Sequence, residues 1–283
     1  MTTALETIGL GKRYGLRRWA LRDLDIAVEE GTITALVGPN GSGKSTLLKA
    51  WVGFERPTTG RLNILGVDPA RDRGAAIRLT GYVPQQPSLY RELSVADHLA
   101  FATVHRPGFD ASLARGYLDD LSIPLVSRAD QLSGGQQAQV GLALALGSRA
   151  PVLLLDEPLA SLDPLARREF LRVLVDAVRA SGATALLSSH VITDIEQACD
   201  HLIVLGGGRK LLAVSIADAI AGHSVVDGSA DGGIGTFPSP TGQPLTLLRG
   251  RGGRAATLEE VVIGHLAAGR SPRVVPAAQK EAA

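Results

Sequence analysis

The chain has 283 residues, enough for one large domain or one domain with an appendage, and its 45% apolar and 20% charged residues exclude a disordered polymer. With 29 Lys and Arg against 28 Asp and Glu, the charge balance gives no footing to a strongly basic nucleic-acid binder, and the single cysteine, Cys199, excludes an intrachain disulfide framework and fits a reducing cytosol. The most apolar stretch, QVGLALALGSRAPVLLLDEP, is broken by Ser148, Arg149 and Pro151, so no membrane-spanning helix is expected, and the start MTTALETIGLGKRYG lacks the pattern of a secretory leader.

LETIGLGKRYG and WALRDLDIAVEEGTITALVG read as strands with turns at Tyr14-Gly15 and Glu30-Gly31. The apolar run Ile33 to Val37 leads into a glycine-rich loop, and KSTLLKAWVGF follows as a helix with Leu47, Leu48 and Trp51 at helical spacing. GRLNILGVD is a strand, and LTGYVPQQP is a strand stopped by prolines. Residues 94–121 are largely helical around a break at Pro107-Gly108, and a further helix follows QLSGGQ. PVLLLDEP is a buried strand, apolar without alternation, and residues 164–180 form an amphipathic helix through Leu165, Phe170, Leu174 and Val178. TALLSSH is a strand, VITDIEQACD a helix, and HLIVLGGGRKLLAV a hairpin around Gly206 to Gly208. From about residue 222 the chain turns to Gly, Ser and Pro. AGHSVVDGSADGGIGTFPSPTGQP reads as a linker or loose loops, followed by a strand-like LTLLRG, a helix-like TLEEVVIGHLAAG and a disordered tail. Strands alternating with helices argue an α/β fold with a mainly parallel sheet, preceded by an antiparallel lobe.

GPNGSGKS, Gly38 to Ser45, matches G-x-x-x-x-G-K-[ST] between a buried strand and a helix. Gly41 and Gly43 permit positive φ and close backbone approach, so that N–H groups turn toward phosphate oxygens at a helix start. Lys44 supplies a full positive charge to the β- and γ-phosphates, and the Ser45 hydroxyl suits Mg²⁺. VLLLDEP ends with Asp156 and Glu157, acids after four apolar residues that need a cation or a hydrogen bond. Asp156 suits Mg²⁺, directly or through water, and Glu157 is placed to polarise an attacking water. QLSGGQ is a second anion-binding corner: the Ser133 hydroxyl and the N–H groups of Gly134 and Gly135 open a helix.

The ordered set GPNGSGKST, GYVPQQ, LSGGQ, VLLLDEP, SLD and SSH resembles the nucleotide-binding subunit of an ATP-binding-cassette (ABC) transporter over about residues 5–215. The resemblance implies a phosphate-loop ATPase core with an N-terminal antiparallel β subdomain and a helical subdomain, about residues 86–148, that carries LSGGQ. It divides the chain into an ATPase domain (1–222), a small C-terminal extension (223–269) and a tail (270–283). It implies ATP and Mg²⁺ as ligands, and two such chains packed head to tail, so that Ser133, Gly134, Gly135 and Gln136 of one meet the γ-phosphate held by Gly38, Pro39, Asn40, Gly41, Ser42, Gly43, Lys44, Ser45 and Thr46 of the other. On the same basis Gln85 touches Mg²⁺ or water and senses nucleotide, with Gln86 the second choice. Asp163 communicates across the dimer, and His190 is a switch near the γ-phosphate. Tyr14 stacks on adenine, with Trp19 the second choice. His98, His105, His201, His223 and His265 lack metal-ligand spacing and are assigned nothing.

The resemblance further implies a cytoplasmic subunit, peripheral on the inner face of the membrane, working with a separate transmembrane permease and a second ATP-binding subunit, identical or sibling, and with no nucleic acid. After LSGGQ, where such chains carry Arg or Lys, this one has Gln137, Gln139 and Leu144, which is expected to remove positive charge near the dimer interface. TLEEVVIGHL resembles the end of the drug- and polysaccharide-exporting branch, ABC-2 type, and residues 223–256 are expected to hold too few strands for an importer's β-rich tail. The alternatives are a soluble ABC ATPase acting on ribosome or nucleic acid, and an ATP-binding regulator with little turnover.

Overall fold

The computed structural model describes residues 2–86 and 88–270. Two long strands, β1 (Thr3–Tyr14) and β2 (Arg18–Glu29), run antiparallel; the second half of β2 alternates buried with exposed positions, whereas register shifts along the pair break the alternation in β1. β3 (Ile33–Val37) is buried throughout and ends at the glycine loop; α1 (Lys44–Trp51) starts directly after it, and β4 (Thr59–Ile64) returns to pair with β1. α2 (Arg73–Leu79), a helix that the sequence pattern did not suggest, is capped by Asp72 accepting from the Ala75 N–H. β5 (Thr80–Val83) leads to α3 (Val95–His105), α4 (Ala111–Asp120) and α5 (Gly134–Gly147), and the break at Pro107-Gly108 falls between the first two. β6 (Val152–Asp156), α6 (Pro164–Ser181), β7 (Thr184–Ser189), α7 (Ile192–Ala198) and the hairpin β8 (His201–Gly206) and β9 (Arg209–Ser215) follow as expected.

The central sheet has the order β5-β6-β7-β3-β8-β9, parallel except for β9, beside the antiparallel sheet β2-β1-β4. One core lies between these sheets and α1, with Leu36, Leu48, Trp51 and Leu186. A second joins the helices α3 to α6 to the other side of β6 and β7 through Leu142, Leu155, Phe170 and Leu187. The carboxyl ends of β3, β6 and β7 therefore open at one edge, where an open parallel sheet offers a crevice.

The segment after residue 221 overturns the linker reading. A short α8 (Ile216–Ala221) is followed by β10 (His223–Asp227), β11 (Gly235–Pro238), β12 (Pro244–Arg249) and β13 (Arg254–Ala255), paired in the order β11-β12-β10-β13. α9 (Leu258–Arg270) packs on this sheet and on β8 and β9, and its Leu258, Val261 and Val262 share a third core with Ile195, Leu202 and Val204. Gly228, Gly232 and Gly242 take positive φ between the strands, while Val225, Phe237, Leu245 and Leu247 face inward. Residues 223–255 thus hold four strands, which removes the argument that the tail has too few for an importer. The expected disordered tail, 270–283, begins one residue too early, because Arg270 ends α9; residues 271–283 lie outside the described residues.

Candidate functional site

The phosphate loop folds around two glycine requirements. Gly43 has φ 106° and caps α1; a Cβ there would come within 2.7 Å of the Ala20 carbonyl oxygen, so no other residue fits without moving backbone. At Gly38 a Cβ would stand 2.3 Å from the Leu205 carbonyl oxygen of β8. The loop lines a cleft of about 570 Å³ together with Tyr14, Trp19, Gln85 and Glu157. Within it the Ser42 hydroxyl is buried without a hydrogen-bond partner, a polar atom whose desolvation a phosphate oxygen would relieve.

The acidic pair comes from β6. Asp156 and Ser188 are register partners on β6 and β7, and the Asp156 Oδ1 accepts from Ser45 Oγ at 3.0 Å and Ser188 Oγ at 3.1 Å. Glu157 follows with φ +48°, a backbone state costing a non-glycine residue about 1–3 kcal/mol. The turn is held by the Glu157 N–H donating to Ser188 Oγ at 2.7 Å. Glu157 is thereby directed away from Asp156: its Oε1 lies 3.2 Å from Lys44 Nζ and its Oε2 2.7 Å from His190 Nδ1. Lys44 also donates to the Gly38 carbonyl at 2.7 Å. Lys44 and Glu157 are both buried, while His190 is exposed at the rim.

Ser188 was missing from the sequence reading. Its signal was present in TALLSSH, where a serine interrupts an apolar strand, and it is fully buried here. Among the described residues no group of three or more His, Cys, Asp or Glu converges as a metal cage. A magnesium ion suits the donors that are present, one hydroxyl (Ser45) and one carboxylate (Asp156), because that ion is usually shared between few protein oxygens, water and substrate phosphates.

Across the cleft, Tyr14 is partly exposed and Lys12 Nζ sits 5.1 Å from its ring centre. Burial raises the Tyr14 hydroxyl above its ordinary pKa, so it stays a neutral donor. Trp19 stands beside it, with Arg13 5.4 Å from the ring. Both aromatics face the cleft.

The second corner is elsewhere. Ser133 caps α5 by accepting from the Gln136 N–H at 3.1 Å, while Gln136 Oε1 accepts from the Ser133 N–H at 2.9 Å. With Gly134, Gly135, Gln139 and Asp163, these residues line a separate cleft of about 620 Å³; among the described residues it shares none with the phosphate-loop cleft. Asp163 caps α6, its Oδ1 accepting from the Leu165 and Ala166 N–H groups at 2.9 and 3.0 Å. The Gln137 amide donates to the Ala129 and Leu132 carbonyls at 3.0 and 3.1 Å, tying down the turn before the signature. Gln139 is buried and Leu144 packs on the helical core.

A family model described as ABC transporter matches residues 21–160. The iron import protein "Fe(3+) ions import ATP-binding protein FbpC 2" of Rhodococcus jostii (strain RHA1) is 36% identical over 214 residues, 74% of this chain and 61% of that one. "Phosphonates import ATP-binding protein PhnC 2" of Pseudomonas savastanoi pv. phaseolicola is 36% identical over 234 residues, 74% of this chain and 83% of the relative. "Probable multidrug ABC transporter ATP-binding protein YbhF" of Escherichia coli (strain K12) is 36% identical over 215 residues, 73% of this chain and 37% of that protein. The chain thus spans 61% of the length of the iron import protein and little over a third of the multidrug one. A solved "Structure of ATP binding subunit of ABC transporter" superposes with a TM-score of 0.70 at 30% identity, covering 77% of this chain and 92% of that one.

Proposed function

Because the chain belongs to the family of ABC transporter ATP-binding subunits, we propose that it binds and hydrolyses MgATP at an interface between two such chains and drives a separate membrane permease. One observation carries the reading. Lys44, Ser45, Asp156, Glu157 and His190 come together at one site, whereas the Ser133–Gln136 corner lines another cleft of the same chain, which supports a second chain as the source of the corner facing each nucleotide.

The chemistry follows from these contacts. The loop N–H groups, Lys44 and the Ser42 hydroxyl bind the phosphates. Ser45 and Asp156 would hold a magnesium ion, which would supply positive charge to the phosphate oxygens. A bound nucleotide gives Lys44 a new anionic partner and releases Glu157 from its present ion pair. Glu157, still tied to His190, then orients a water for in-line attack on the γ-phosphorus. The new P–O bond forms as the bond to the bridging oxygen breaks, the water's proton passes to the Glu157 carboxylate, and ADP and inorganic phosphate leave. Tyr14 stacks on the base, and Gln85, on the cleft wall beside Glu157, reports the state of the site. Asp163 communicates with the second chain, homodimeric or sibling.

Among the described residues no helix is long and apolar enough to cross a membrane. An apolar groove next to Gln85, with Pro84, Leu89, Phe101 and Leu144 in its wall and Tyr90 and Val104 exposed nearby, suits a permease segment presented at the cytoplasmic face. We propose export as the direction of transport. Its support is the terminal helix α9 and the multidrug relative; the iron and phosphonate import proteins give it none.

The test is phosphate release from the purified chain with MgATP. Steady turnover is expected, falling at least about 100-fold in Glu157→Gln with nucleotide binding retained. Binding without release in the parent chain, alone and with its copurifying permease, would leave the regulator reading in its place.

A further inference from the structure

Of the two aromatics in the nucleotide cleft, Trp19 is engaged in packing: its ring lies over Gly11 so closely that a Cβ there would stand 3.0 Å from Cζ3. Tyr14 is 40% exposed at the end of β1, and a cation holds it from behind. Lys12 Nζ lies 5.1 Å from the ring centre, inside the range of about 6 Å at which an aromatic face attracts an ammonium. Tyr14 lines the cleft and Lys12 does not, so the ammonium takes the ring face turned away from it.

The ammonium is itself fixed. It pairs with Glu55 Oε2 at 2.7 Å and donates to the Arg56 carbonyl at 2.9 Å, and the Lys12 side chain is 15% exposed. The same pair holds the Glu55 carboxyl below its ordinary range, so both partners stay charged at neutral pH. Behind Glu55 the chain is bound to α1, since the Phe54 and Glu55 N–H groups donate to the Lys49 carbonyl at 2.8 and 3.2 Å. Because α1 starts at the phosphate loop, Lys12 ties the aromatic at one end of the cleft to the helix that opens at the other. A nucleotide has a set span between base and phosphates, so a stacking ring is useful only if it is held in register with the loop. A cation on the back of the ring also draws π density from its front, which lessens repulsion from the π face of a stacked purine.

We propose that Lys12 is a positioning residue for nucleotide binding, which sets the affinity for the base through the Tyr14 ring and without touching the ligand. This role rests on the nucleotide reading of the cleft and adds how that site is tuned.

The experiment is calorimetric titration of the full chain with MgADP, which binds without turnover. Lys12→Met keeps the stem and removes the charge, and its affinity is expected about fivefold weaker. Lys12→Arg, which restores the cation, should return to within about twofold of the parent. Glu55→Gln leaves Lys12 in place with one anchor fewer and should weaken binding about threefold, so the proposal is still read if Lys12→Met fails to fold; melting temperatures establish which variants fold. Tyr14→Leu should lose about tenfold, the stacking itself, and in that background Lys12→Met should cost nothing further. A parent that binds MgADP while folded Lys12 and Glu55 variants bind equally well would overturn the proposal and leave the nucleotide reading intact. A Lys12→Met loss that persists undiminished beside Tyr14→Leu would also overturn it, because the charge would then act on the phosphates directly. A parent that binds no MgADP would overturn both.

Discussion

Ser188→Ala should disable the acidic pair without touching it. The hydroxyl is fully buried, accepts from the Glu157 N–H at 2.7 Å and donates to Asp156 Oδ1 at 3.1 Å. Removing it leaves a buried N–H without an acceptor, about 1–3 kcal/mol, and takes one donor from a buried carboxylate, about 1.5–3 kcal/mol. Ser45 still donates to the same Asp156 oxygen, so the second loss falls at its lower end and the sum is about 3 kcal/mol. With an unfolding entropy of about 2.1 cal/mol/K per residue, a chain of this size would melt about 5 °C lower. Function should fall further. Glu157 sits at φ +48°, and without its anchor the backbone relaxes from a state costing about 1–3 kcal/mol, carrying the carboxylate off its line with Lys44 and His190. Phosphate release should drop at least about tenfold, with the larger loss in kcat than in KM. The control is Ser189→Ala on the neighbouring position, whose hydroxyl only accepts from the Val191 N–H at 3.1 Å. A Ser188→Ala chain within about 0.5 kcal/mol of the parent and with unchanged turnover would refute the reasoning.

Burial holds the His265 imidazole down to about 4, with His223 Nε2 3.2 Å away and Arg249 adding to the effect. Its folded pKa lies below its unfolded value of about 6.5, so the unfolded state binds the extra proton and stability falls as pH drops through that window. The loss between pH 7 and 5 is about 2 kcal/mol; melting temperatures should show it in the parent and not in His265→Phe. Gln137→Ala frees the Ala129 and Leu132 carbonyls and should cost about 1–2 kcal/mol in urea unfolding, whereas a glutamine that served only as a missing charge would cost nothing measurable. The neutral Gln137 and Gln139 near the signature should make the ATP-bound Glu157→Gln dimer weaker than micromolar in sedimentation without a permease; a tighter dimer would contradict that.

The phosphate loop, the signature and the acidic pair were legible because each is a contiguous stretch whose chemistry depends on its immediate neighbours. GSGK places Lys44 and Ser45 at a helix start wherever the strand before it is buried, and LSGGQ makes its own cap. The succession of strands and helices along the chain and the helix break at Pro107-Gly108 were readable for the same reason, whereas the order of the strands in the sheet was not. α2 escaped because seven residues with one buried alanine carry almost no period, and β10 and β11 escaped because their short apolar runs are drowned by the turns around them.

Composition and local pattern determined that this chain folds as an α/β nucleotide-binding protein, and they supplied the residues proposed to touch phosphate. Tertiary structure alone decided which of them meet. Ser45 and Asp156 are 111 positions apart, Glu157 and His190 33 apart, and the glutamine expected to be a lost charge is a bracket for two carbonyls. It alone separated the two anion-binding corners into different clefts, and turned a glycine- and proline-rich stretch into a sheet packed on the core. The reason is physical. A backbone turn or cap is stabilised by groups a few residues away, whereas a buried hydroxyl or amide is satisfied by whichever distant strand the core brings beside it.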